Sequence, residues 1–178
     1  MDVVTLRAFA DNYVFVLHDP AANAAAVVDP GDAAPVLAWL RSSGARLTTV
    51  LCTHFHRDHT GGNARLAAAF PGVEVLAGAA DLARTPSATR AVRHGDRLVA
   101  AGADCEVLEV PGHTRGHVAF FFPDATGGDL FSGDVLFGLT IGNLFEGTPA
   151  DMLLALQRIR ALPPATRVWA AHEYTRTC

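Results

Sequence analysis

Thr53-His54-Phe55-His56-Arg57-Asp58-His59 follows directly on the apolar, β-branched run Thr48 to Thr53, and the rest of the chain is best read outward from this junction. The run predicts a strand. Side chains alternate faces along a strand, so His54 and His56 are expected to point the same way as it runs out. Two imidazoles on one face can grip one metal ion. Asp58 and His59 fall at the turn into the next helix, where they can face a second ion. Such ligands suit zinc, and also iron or manganese. A merely polar loop is the competing reading. Four candidate ligands within six residues, directly after a buried strand, weigh against it.

Three further apolar runs end in the same kind of residue. Cys105 to Val110 leads to Pro111-Gly112-His113-Thr114-Arg115-Gly116-His117. Leu130-Phe131 leads to Ser132-Gly133-Asp134, and Arg167 to Ala170 leads to Ala171-His172-Glu173-Tyr174. One His after a strand is usually a satisfied structural residue. Four strand ends carrying His or Asp are hard to explain by a core alone, so these positions are read as functional.

Between these points the chain alternates strand and helix. Tyr13 to Leu17, Ala24 to Val28, Val73 to Ala77 and Val118 to Phe122 read as strands, several bounded by turn formers such as Asp29-Pro30-Gly31. Pro35 to Leu40 reads as a helix stopped by Gly44, and Gly62 to Phe70 as a second one. Pro149 to Leu162 is the strongest helix, with Met152, Leu153, Leu156 and Ile159 at helical spacing and Pro163-Pro164 ending it. The mixture predicts a layered α/β fold.

Composition narrows the class. The chain has 178 residues, 50% hydrophobic and 18% charged, which fits one domain over residues 1–178 and excludes a disordered chain. No run reaches the roughly 18 apolar residues of a membrane span, so no membrane partner is expected. Met1-Asp2-Val3-Val4 lacks the basic start of a secretion signal. Net charge is −4, and every basic residue is Arg, scattered without forming a stripe, so no nucleic-acid partner is expected. Three cysteines (Cys52, Cys105, Cys178) are too few and too odd a set for a disulfide framework. A reducing, cytoplasmic setting is the simpler expectation.

The quoted residues resemble the metallo-β-lactamase superfamily, whose hallmark is His-x-His-x-Asp-His followed by later His, Asp and His. Phe9 to Tyr13, Val28 to Gly31, Phe131 to Phe137, Leu144 to Thr148 and His172 to Thr175 extend the likeness to glyoxalase II, the hydroxyacylglutathione hydrolases. The resemblance implies an αββα four-layer sandwich with two mixed β-sheets. It also implies a two-metal site: His54, His56 and His113 for the first ion, Asp58, His59 and His172 for the second, and Asp134 bridging. A hydroxide shared by the two ions would attack the carbonyl of an S-(2-hydroxyacyl)glutathione, typically S-D-lactoylglutathione, releasing glutathione and D-lactate. Such chemistry belongs to methylglyoxal detoxification. His117 is expected to support a ligand or the local structure. Asp29 is either a turn former or a residue that orients a ligand imidazole.

Two departures bear on substrate. Where the family carries a Cys-Gly followed by Lys or Arg that contacts glutathione, this chain reads Ile141-Gly142-Asn143-Leu144-Phe145. Asn143 can hydrogen-bond a carboxylate but supplies no charge. Tyr174 is an expected substrate contact, and Phe145 is either a contact or a core residue. The family also continues beyond His-Glu-Tyr-Thr into a helical region with basic glutathione contacts, whereas Cys178 follows almost at once here. An apolar face left uncovered predicts a homodimer, another partner or reduced stability. The alternatives are a hydrolase of another thioester or a lactone, or an inactive metal-binding form. A persulfide dioxygenase fits less well with Phe145-Glu146-Gly147-Thr148 and His172-Glu173-Tyr174-Thr175.

Overall fold

The computed structural model describes residues 1–175, so Cys178 lies outside the described residues. Two mixed sheets form the centre. The first has six strands in spatial order: β1 (Asp2–Ala8), β2 (Asn12–Asp19), β3 (Ala24–Val28), β4 (Arg46–Cys52), β5 (Glu74–Gly78) and β6 (Arg90–Val92). The β1–β2–β3 pairings are antiparallel and those from β3 to β6 parallel. The second sheet runs β11 (Arg167–Ala170), β10 (Asp129–Gly133), β9 (Val118–Phe122), β8 (Ala103–Glu109) and β7 (Arg97–Ala100), with only β10–β11 parallel.

Alternation along each strand builds three cores. In β2, Val14 and Val16 face outward toward α1 (Ala33–Ser43) and α3 (Asn63–Ala69), while Phe15 and Leu17 face the other sheet. In β9, Val118, Phe120 and Phe122 fill the space between the sheets, and Ala119 and Phe121 pack under α4 (Pro149–Arg160). Helices therefore cover both outer faces, giving the expected α-β-β-α layering. Burial on both faces also explains why these strands read as continuous apolar runs.

Helix ends follow their side chains. Asp32 caps α1 by accepting from the Ala34 N–H at 2.8 Å, and Gly44 closes it at φ 70°. Thr148 and Asp151 form a reciprocal capping box on α4. On α4, Met152, Ala155 and Ile159 are buried, whereas Leu153 is 57% exposed, contrary to the helical stripe expected from sequence. Edge strand β1 and the short strands β6 and β7 also went unpredicted.

One correction concerns the site. Strand β4 ends at Cys52, before the histidines. His54 and His56 lie in the connection that follows, and a one-turn helix, α2 (Arg57–Thr60), carries Asp58 and His59. The histidine rings still converge, with centroids 4.6 Å apart, because the chain turns there rather than because a strand continues.

Candidate metal centre

Connections from both sheets meet at one edge of the sandwich. The β4–α2 connection supplies His54 and His56, α2 supplies Asp58 and His59, and the β8–β9 connection supplies His113. Asp134 follows β10 and His172 follows β11. Two close groups result, His54, His56 and His113 in one and Asp58, His59 and His172 in the other, and a third of His54, His59 and Asp134 overlaps both, each with its ligand-type atoms within 4.8 Å of one another. Asp134 faces both. Its Oδ2 is 3.4 Å from His113 Nε2, and its Oδ1 is 3.5 and 3.4 Å from Nε2 of His59 and His172.

The surrounding hydrogen bonds assign the imidazole tautomers. Asp29 is buried and sits at φ 50°, in the left-handed region. Its Oδ1 accepts the Thr53 N–H at 2.8 Å, and its Oδ2 accepts the Thr53 hydroxyl at 2.7 Å. That hydroxyl has one proton, already donated, so it can only accept from His54 Nδ1 at 3.0 Å. Asp29 Oδ2 also accepts from His59 Nδ1 at 3.2 Å. His113 Nδ1 donates to the Asn143 carbonyl at 2.8 Å, and His172 Nδ1 to Asp11 at 3.1 Å. In their neutral form these four imidazoles present Nε2 lone pairs to the centre. His56 presents Nδ1, 3.0 Å from His113 Nε2. Of the two readings of Asp29, the contacts favour orientation of imidazoles over a mere turn.

His117 is fully buried, stacks on His54 at 4.8 Å and accepts the Asp134 N–H at 3.1 Å. It lies behind the centre and belongs to none of the three groups. Gly133 makes this possible: it sits at φ 53°, and a Cβ there would fall 2.5 Å from Thr53 Oγ1 and 2.6 Å from His117 Cε1.

A divalent cation fits these residues. His54 Nε2 and Asp134 Oδ1 are buried without a hydrogen-bond partner, which is costly unless an ion satisfies them. Electrostatics agree. Burial pushes the His54, His56 and His113 imidazoles below their ordinary range, favouring the neutral form that binds metal, and burial takes His117 down to about 3. Burial would also lower His59, but Asp134, Asp29 and Asp58 outweigh it and hold His59 well above its usual value. Burial would raise Asp134, yet His59 and His172 hold it well below the usual carboxylate range.

Sequence reasoning passed over Asp11, Asn12 and Thr53 as individual residues. Asn12 donates to Asp58 Oδ2 at 3.0 Å, and the Glu173 N–H donates to the Asp11 carbonyl at 2.9 Å. The β1–β2 turn thereby ties α2 to the segment after β11. The only sequence signal was their place in two stretches of the family resemblance, Phe9 to Tyr13 for Asp11 and Asn12 and Thr53 to Gly62 for Thr53. Phe145, by contrast, is 66% exposed and is no core residue. Its ring stands edge-on to His56 and His113, at 5.5 and 5.1 Å. Tyr174 stacks on His172 at 4.9 Å, and Asn143 is exposed.

The defining pattern of the metallo-beta-lactamase superfamily matches residues 8–172. The chain belongs to that superfamily. The hydroxyacylglutathione hydrolase of Acaryochloris marina (strain MBIC 11017) is 51% identical over 98% of this chain and 69% of its own length. That likeness places this superfamily member in the hydroxyacylglutathione hydrolase family. Two solved structures share the fold. ETHE1 from Myxococcus xanthus has a TM-score of 0.85 at 26% identity, over 98% of this chain and 77% of that one. TTHA1623 in a di-iron-bound form has a TM-score of 0.80 at 30% identity, over 97% and 92%. The clustered His and Asp side chains of this superfamily member mark a divalent-metal site. Among the described residues, no helix is long and apolar enough to cross a membrane.

Proposed function

We propose that this chain is a metal-dependent hydrolase of S-(2-hydroxyacyl)glutathione thioesters, acting with two divalent cations, zinc first among them. The observation that carries the reading is the orientation of the donor set. Four imidazole lone pairs and the two oxygens of Asp134 converge on two adjacent positions, supported by identity with curated hydroxyacylglutathione hydrolases and by likeness to a di-iron structure. His54, His56 and His113 would hold one ion, Asp58, His59 and His172 the other, with Asp134 reaching both.

When bound, the ions lower the pKa of water and polarise the thioester carbonyl. The protein does the rest. Asp29, Thr53, Asp11 and the Asn143 carbonyl engage Nδ1 of the imidazoles, so that Nε2 is the atom each would offer to an ion. Asp58, held well below the usual carboxylate range by the His59 imidazole, stays ionised and keeps Oδ2 as a ligand atom, 3.2 and 3.5 Å from Nε2 of His59 and His172. Phe145 and Tyr174 flank the mouth and can guide the substrate toward the centre. The leaving thiolate is stable enough that no dedicated proton donor is needed.

The test is hydrolysis of S-D-lactoylglutathione by the purified, metal-loaded chain, with His54→Ala and Asp134→Ala beside it. Turnover that both substitutions abolish is expected. A folded protein that holds its metal yet turns over nothing would defeat the assignment.

A further inference from the structure

The substrate half that leaves as a thiol carries carboxylates, and Asn143, at the position where the family supplies a cation, cannot balance them. Two cations share a cleft with Phe145. The cleft, about 440 Å³, is lined by Ala80, Asp81, Arg84, Arg115, Phe145 and Glu146. Its two arginines are in different states. Arg84 donates to Glu146 Oε1 at 2.6 Å, has Nη1 3.6 Å from Asp81, and lies 3.4 Å over the Phe55 ring. Its charge is therefore balanced in place. Arg115 is held differently: its backbone N–H donates to Glu146 Oε2 at 3.0 Å and its Nε to the Glu146 carbonyl at 3.3 Å. Among the described residues, neither Nη of Arg115 has a hydrogen bond or ion pair. The neighbouring acid Asp151 is committed to the Thr148 backbone and hydroxyl, at 2.8 and 2.7 Å.

We propose that Arg115 binds a carboxylate on the thiol half of the substrate, with Glu146 as the brace that aims it. The inference rests on the thioester reading above. Arg115 is two residues after His113, and Phe145, edge-on to His113 at 5.1 Å, lines the same cleft as Arg115. A carboxylate one residue along from the sulfur-bearing residue lies several ångströms from the thioester, on the scale of these neighbouring contacts. Bracing through Nε leaves the two Nη groups as a planar fork, the geometry that matches a carboxylate. Holding that fork in advance reduces the ordering cost of binding.

The experiment compares Arg115→Gln and Arg115→Lys with the wild type on two substrates. One is S-D-lactoylglutathione. The other is S-D-lactoyl-N-acetylcysteamine, which has no carboxylate on its thiol half. For Arg115→Gln, the ratio of kcat/KM values, charged over uncharged, should fall roughly tenfold or more, through KM rather than kcat. Arg115→Lys should recover part of that ratio. The backbone bond from residue 115 to Glu146 survives either substitution, and circular dichroism with metal content checks folding. A ratio unchanged in Arg115→Gln, or an equal loss on both substrates, would overturn the role of Arg115 alone. A wild type inactive on both substrates would overturn the thioester reading and this inference with it.

Discussion

Asp29 serves two imidazoles, one directly and one through the Thr53 hydroxyl. Replacing it with Asn exchanges an acceptor-only carboxylate for an amide whose nitrogen cannot accept. We expect Asp29→Asn to weaken metal affinity roughly 10–100-fold, the usual cost of losing a group that orients a ligand. Competition with a chromophoric chelator measures this, and affinity equal to wild type would refute the assigned role. At this scale the sequence was legible where a residue's chemistry is unusual for its place. His54, His56, Asp58, His59, His113, Asp134 and His172 stood out as polar ends of apolar runs, and all seven meet. Thr53 did not stand out, because a threonine ending a strand is ordinary. Only the three-dimensional path from Asp29 to His54 reveals what it does. Asp11 was hidden for the same reason: its partner, His172, is 161 positions away.

At the scale of elements, α2 is held by close backbone approach. A Cβ on Gly31 would lie 1.8 Å from the Asp58 carbonyl oxygen, a backbone atom that cannot simply rotate aside. Gly31→Ala should therefore displace α2, moving Asp58 and His59 while leaving His54, His56 and His113 in place. Elemental analysis of the folded variant should show metal lost from the Asp58–His59–His172 group first; full wild-type content would contradict the prediction. Helix α4 offers a separate check. Thr148→Ala removes its N-cap and should cost about 1 kcal/mol in denaturant unfolding. The elements themselves were read well where both faces are buried, as in β3 and β9. β7 was missed because its alternation spans only four residues and exposes Val99. The expected strand-borne histidine pair failed for a related reason. Periodicity describes the run up to Cys52 but says nothing of where pairing stops, and β4 has lost its neighbours by His54.

For the whole molecule, the histidines make stability depend on both pH and metal. His54, His56, His113 and His117 are lowered in the fold, so their contribution is present above their unfolded value of 6.5 and lost as pH falls through the folded values. His59 and His172 are raised; in both, burial pulls the pKa down but the carboxylates, Asp134 foremost, pull it up further. Their contribution is present below 6.5 and lost as pH rises through the folded values. The metal-free protein should consequently be most stable near pH 6.5, declining on both sides. Adding metal displaces the protons on His59 and His172 and should abolish the alkaline decline. Urea unfolding across pH, with and without chelator, tests both statements; an alkaline decline that metal leaves intact would reject the assignment of these two histidines. Removing metal at neutral pH should also lower Tm, since an ion that binds only the folded chain stabilises it by mass action.

The scatter of the centre along the chain has a consequence for biosynthesis. His54, His56 and His113 leave the ribosome well before Asp134, and His172 emerges last. A nascent chain that has finished β9 already owns one complete trio, but the carboxylate that would join it to its neighbour is still to be made. On the proposed two-ion reading, the second position is complete only once β11 docks beside β10 and brings His172 to Asp11, so the His54–His56–His113 trio is the first that a growing chain can offer to an ion.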